Sequence, residues 1–165
     1  MDQRMTLYRE LQNSGVSFYT WDLGPTPAVS MEVGGRYAIF MDFANIPTAA
    51  QEQVILAHEA GHVRTGSTHA AYSPYDLVQR HEQQADRWAY KRLLPYESLC
   101  PAIHSGIRDP WELADHFDVT QDFLQDALTY YHDTQGLDFN DCPAPCPAAS
   151  KKIRRFGGFF CFRLP

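Results

Sequence analysis

No stretch of this 165-residue chain approaches the roughly eighteen consecutive apolar positions that a membrane-crossing helix needs. The opening Met1-Asp2-Gln3-Arg4-Met5 leads into polar sequence and lacks the apolar core of a secretory signal. Both features argue for a soluble, cytoplasmic protein without a membrane role. Cysteine is scarce: Cys100, Cys142, Cys146 and Cys161 are too few and too unevenly spaced for a disulfide framework. Cys142-Pro-Ala-Pro-Cys146 has no second pair of comparable spacing to complete a metal site, so the four read as free thiols. Positive charge is short through most of the chain. Residues 1–141 hold nine Lys and Arg against all 20 acidic residues, a net −11, whereas residues 142–165 carry five bases and no acid. A body this acidic repels phosphate backbones, which argues against direct nucleic-acid binding and favours a basic protein partner.

Against these absences stands Gln53-Val54-Ile55-Leu56-Ala57-His58-Glu59-Ala60-Gly61-His62, the second half of a helix that starts near Thr48. At about 3.6 residues per turn, His58 and His62 share one face, and two imidazoles can converge on one metal ion. Val54, Ala57, His58, Gly61 and His62 follow the spacing of a buried helical face. In the H-E-x-x-H arrangement the intervening Glu59 is no ligand; it serves as general base toward the water that the metal activates.

A second helix, from about Pro74 to Leu94, carries the stripe Tyr75, Val78, Glu82, Ala85, Ala89 and Leu93. A carboxylate set among small and apolar residues needs a cation, and an ion held by His58 and His62 would be one. Asp86, one turn after Glu82, is placed to hydrogen-bond the outward nitrogen of a ligand histidine. Three protein ligands with one open position describe a catalytic rather than a structural zinc site, with one Zn2+ per chain.

His58-Glu59-Ala60-Gly61-His62, then Glu82-Gln83-Gln84-Ala85-Asp86, Trp88-Ala89 and Leu93-Leu94-Pro95, resemble the ImmA/IrrE metallopeptidases over roughly residues 5–130. The resemblance implies a standalone peptidase domain with zinc ligands His58, His62 and Glu82 and with Glu59 as catalytic base. It also implies a protein substrate, a DNA-binding helix-turn-helix repressor of a phage or mobile element. A zinc-bound regulatory module that sequesters a repressor without cutting it is the alternative, since the same ligands hold a metal whether or not turnover follows.

Around these two helices the chain reads as α+β: a zincin-like helical bundle carrying H-E-x-x-H, with a small, twisted, mostly antiparallel sheet. Residues 3–13 read as a short amphipathic helix, and Val16 to Trp21 as a strand. Ala28–Val33, Gly34-Gly35 and Arg36–Asp42 read as a hairpin closed by a Gly-Gly turn. In the zinc peptidases that the chain resembles, an edge strand near the metal pairs with the extended substrate, and one of these strands is a candidate. The loop expected over Val63–Ser73 brings His69 and Tyr72, together with Tyr75 just beyond it, into range as candidate oxyanion stabilisers; His81 ranks below them because it points away from Glu82. Asp109-Pro110 opens a helix, and Trp111–Leu124 has a helix-turn-helix rhythm with Thr120 capping its second helix. Trp111–Tyr131 contains five acids and no Lys or Arg, so this segment is packing structure rather than a DNA reader. The peptidase domain is expected over residues 1–135. Residues 136–165 read as a Pro- and Cys-containing basic tail.

Overall fold

The computed structural model describes residues 2–67, 74–107 and 109–139. Helix α1 (Gln3–Asn13) is capped by Asp2, whose side chain accepts from the amides of Arg4 and Met5. Strands β1 (Ser17–Thr20), β2 (Ala28–Val33) and β3 (Arg36–Met41) follow. Helices α2 (Ala49–Thr65), α3 (Tyr75–Leu93), α4 (Tyr96–His104), α5 (Pro110–His116) and α6 (Gln121–Thr129) complete the order, and Tyr130–Thr134 continues α6 as a π-turn.

The sheet has the order β1-β3-β2. Strands β2 and β3 form the expected antiparallel hairpin, with Gly34 and Gly35 both at positive φ in its two-residue turn. Strand β1 joins β3 in parallel, so the sheet is mixed and, among the described residues, β2 is one of its edges. The amide of Asp42 donates to the Pro27 carbonyl at 2.8 Å, which fixes the parity of the ladder. Val29 pairs with Phe40, and Met31 with Ala38, through hydrogen bonds; the N–H and C=O groups of Ala28, Ser30 and Glu32 therefore point away from β3, off the open edge. Ile39 and Met41 face the helices and are buried, whereas Tyr19, Met31 and Val33 on the opposite face are exposed.

Helix α2 lies in the centre of the domain. Leu56, Ala57 and Ala60 are fully buried, and Gln53, also fully buried, donates to the carbonyl of Phe117 after α5 at 3.1 Å. Its Thr48 cap accepts from the amide of Gln51, and α2 ends only at Gly66, whose φ of 64° no β-branched residue would tolerate. The helix thus runs through Thr65, three residues into the segment expected to be loop. Gly61 faces the backbone of Ala85 and lets α2 and α3 approach closely. Asp109 occupies the cap position before Pro110, but its side chain makes no capping bond.

The body continues past residue 135. Leu137 donates its amide to the Tyr131 carbonyl, Tyr96 donates its hydroxyl to the Asp138 carbonyl, and Phe139 packs against the rings of Tyr96 and Tyr131. Cys100, buried in α4, is disulfide-bonded, which corrects the free-thiol expectation at that position. The other three cysteines and the basic segment lie outside the described residues. No helix is long and apolar enough to cross a membrane among the described residues.

Candidate metal centre

Helices α2 and α3 deliver the site. His58 and His62, one turn apart on α2, stand with their rings nearly perpendicular and their Nε2 atoms 3.1 Å apart. From α3, the Glu82 carboxylate places Oε2 3.2 Å from His58 Nε2 and Oε1 3.6 Å from His62 Nε2. For bonds of about 2.0–2.1 Å, the edges of a tetrahedral coordination shell are about 3.3 Å long, close to the His58–His62 and His58–Glu82 Oε2 separations.

The outer nitrogens fix the tautomers. His58 Nδ1 lies 2.9 Å from Asp86 Oδ1, and a carboxylate can only accept there. His62 Nδ1 lies 3.3 Å from the Ser67 carbonyl and 3.2 Å from its hydroxyl. Both Nδ1 atoms therefore carry the proton in the neutral rings, and both Nε2 lone pairs turn toward the same point, where Glu82 also directs its charge. Three electron-pair donors converging at hydrogen-bond range call for a cation, and this group of three could hold a metal ion. Burial opposes protonation of His58, but the hydrogen bond and charge of Asp86, with Glu59 and Glu82 behind, outweigh it and raise the His58 pKa.

Glu59 is 7% exposed and points toward the open edge of β2. Burial raises its pKa; the Ser30 hydroxyl and amide and the nearby His58 only partly offset this. The ladder parity turns the Ser30 N–H off the sheet edge, on the side where the cleft lies. A cleft of about 510 Å³ opens here, lined by His58, Glu59, His62, Glu82 and Asp86 at its polar end. Ala28–Ser30 and Val54, Ile55 and Phe123 supply much of the remainder.

Glu82 is less enclosed than its helical stripe implies, with its side chain 41% exposed. The buried part of α3 is Ala85, Ala89 and Leu93; toward its N-terminus the helix rises out of the core, and Glu82 leans over the site from the rim. Tyr75, at the first position of α3, is 78% exposed and does not line the cleft. His69 and Tyr72 lie outside the described residues. Ser67, which holds His62, and Ser30, which lines the cleft with Glu59, are not singled out as site residues by the sequence. A serine in a loop and another in a strand leave no periodic or spacing signal.

A family model described as the IrrE N-terminal-like domain, peptidase family M78, matches residues 44–129, just over half of the chain. The chain belongs to the M78 peptidase family. The match begins just before α2 and ends at the last residue of α6, so it takes in every donor of the site. Membership carries a metallopeptidase-type role for this M78 domain. No curated protein and no solved structure matches the chain.

Proposed function

We propose that this M78 domain is a zinc-dependent endopeptidase in which His58, His62 and Glu82 hold one zinc ion and Glu59 is the general base. Its substrate is a basic helix-turn-helix repressor of a phage or mobile element. The observation that carries this reading is the convergence of two tautomer-fixed Nε2 atoms and a carboxylate beside a buried glutamate. Two imidazoles and one carboxylate form a donor set that zinc accepts, with a position left open.

When bound, zinc supplies Lewis acidity, polarising the scissile carbonyl and acidifying a water at neutral pH. Glu59 would act as the general base toward the attacking water, holding its proton on the carboxylate and handing it to the leaving amine. A carboxylate whose pKa burial has raised is suited to both halves of that transfer. Asp86 and Ser67 hold the two rings in the tautomers the metal requires.

The peptide reaches the site along β2. The outward N–H and C=O groups of Ala28, with the C=O of Ser30, offer an extended chain a strand to pair with at the lip of the cleft. The net −11 of residues 1–141 supports a basic protein as the one that arrives.

The deciding experiment is intact-mass analysis of the repressor-like protein encoded beside this gene, co-expressed with wild type or Glu59→Gln, with metal analysis of both. The expected result is two fragments with wild type, one whole chain with the variant, and one zinc in each enzyme. An uncut repressor in both, despite stoichiometric zinc, would favour sequestration and overturn the peptidase assignment for that substrate.

A further inference from the structure

We infer that the cleft contains a specificity subsite for an apolar side chain, built by Val54, Ile55 and Phe123, which receives the substrate residue lying opposite Ala28. The inference rests on the metallopeptidase reading above and names what that site selects.

Helix α2 packs beside strand β2. Near the start of α2, the Tyr8 hydroxyl touches both Glu52 (2.9 Å) and Met41 (3.1 Å), and Met41 is the ladder partner of Ala28. Further along, Ser30 of β2 and Glu59 of α2 both line the cleft. Val54 and Ile55 line the cleft together with Ala28, one helical turn before His58 and Glu59. Leu56 and Gln53 in the same turn are fully buried, whereas Val54 and Ile55 are half-buried and line the cleft. Phe123 closes the floor from α6.

Side chains opposite one another on adjacent strands share a face of the sheet. A substrate strand paired with the outward N–H and C=O of Ala28 and the C=O of Ser30 sends the side chain opposite Ala28 toward α2, into the space bounded by Val54, Ile55 and Phe123. The charged lining residues, Glu59, Glu82 and Asp86, all belong to the metal end. A leucine- or phenylalanine-sized side chain exchanges water for aliphatic and aromatic contacts there, whereas an aspartate or lysine side chain loses hydration without gaining a partner. The selected substrate residue is therefore apolar and lies next to the scissile bond.

The test uses the full chain loaded with cobalt, whose visible absorption reports ligands at the metal. It is titrated with N-acetyl hydroxamates of leucine, phenylalanine, aspartate and lysine. Leucyl and phenylalanyl hydroxamates should bind about tenfold or more tighter than the other two, the difference expected for one well-filled apolar pocket. Phe123 is 7% exposed and its truncation risks the fold, so the diagnostic variant is Ile55→Glu. It should keep its cobalt spectrum, weaken the leucyl compound and strengthen the lysyl one. Equal affinities for all four compounds with cobalt in place would overturn the subsite and leave the metallopeptidase reading standing. A protein that takes up no cobalt would overturn that reading and the subsite with it.

Discussion

A Cβ atom on Gly61 would stand 2.6 Å from the carbonyl oxygen of Ala85 and 2.7 Å from its Cα, closer than van der Waals contact permits. The glycine inside the H-E-x-G-H run and the alanine three residues after Glu82 are thus two sides of one contact. This contact sets the distance between the helix that carries the histidines and the helix that carries the carboxylate. Gly61→Ala gains helix propensity but forces α2 and α3 apart, and the steric cost exceeds the gain. A net loss of about 1–2 kcal/mol is expected in urea unfolding, together with weaker zinc binding because Glu82 moves with α3. Wild-type stability and wild-type zinc affinity in this variant would show that the close approach has no bearing on the site.

The two ligand histidines are supported unequally. Asp86 holds His58 through a charged acceptor at 2.9 Å, whereas His62 leans on a backbone carbonyl as well as the Ser67 hydroxyl. Asp86→Asn removes the charge and offers His58 an ambiguous partner; zinc affinity should fall about 10- to 100-fold by competition with a chromophoric chelator. Ser67→Ala keeps the carbonyl and should change affinity by less than about threefold. A reversed order of the two effects would contradict the tautomer assignment.

The metal-free and metal-loaded proteins should respond to pH in opposite directions. In the metal-free fold, His58 is raised above its ordinary 6.5 because Asp86, Glu59 and Glu82 together outweigh burial, and Glu59 is raised above 4.5 chiefly by burial. Both groups bind protons more tightly folded than unfolded. Their contribution to stability is fully present below their unfolded pKa values and is lost as pH rises through the folded ones. Chelator-treated protein should therefore lose stability from these two groups as pH rises from about 4.5 to beyond 6.5. Zinc needs a deprotonated His58, so the rise in Tm on adding zinc should grow over the same interval. Thermal unfolding at pH 5.5, 6.5 and 7.5, with and without zinc, checks both slopes; parallel curves would mean that His58 does not compete with the metal for its proton.

Much of this architecture was legible because each local signal had a single physical meaning. Thr48 before an apolar-periodic run, Gly-Gly between two β-rich stretches, and Pro110 after Asp109 mark boundaries that backbone sterics enforce. His58, His62 and Glu82 could be grouped because helical spacing and motif order constrain them; their distances, and the inward turn of both Nε2 atoms, depend on packing that no spacing encodes. The parallel addition of β1 was invisible, since a four-residue strand carries no record of its partner's direction. Ser67 is brought under His62 by the left-handed turn at Gly66, a conformation readable only once the end of α2 is known.

Glu82 is where reasoning from burial alone misjudged the surroundings, and that misjudgement defines a separable pair of variants. His62 is 5% exposed and satisfies the Ser67 carbonyl, while the Glu82 side chain is 41% exposed at the rim. Both His62→Ala and Glu82→Ala remove one of three donors, and both should lose stoichiometric zinc. Their metal-free forms should differ. His62→Ala leaves a cavity and a buried carbonyl without its donor, at a cost of about 2 kcal/mol. Glu82→Ala removes a half-exposed carboxylate from an acidic neighbourhood and should leave the metal-free fold as stable as wild type, or slightly more so. Denaturant unfolding in the presence of chelator, paired with metal analysis, separates the two contributions. If Glu82→Ala destabilised the metal-free protein as much as His62→Ala, the carboxylate would be a structural element of the core, and its place as the third metal ligand would lose its main physical support.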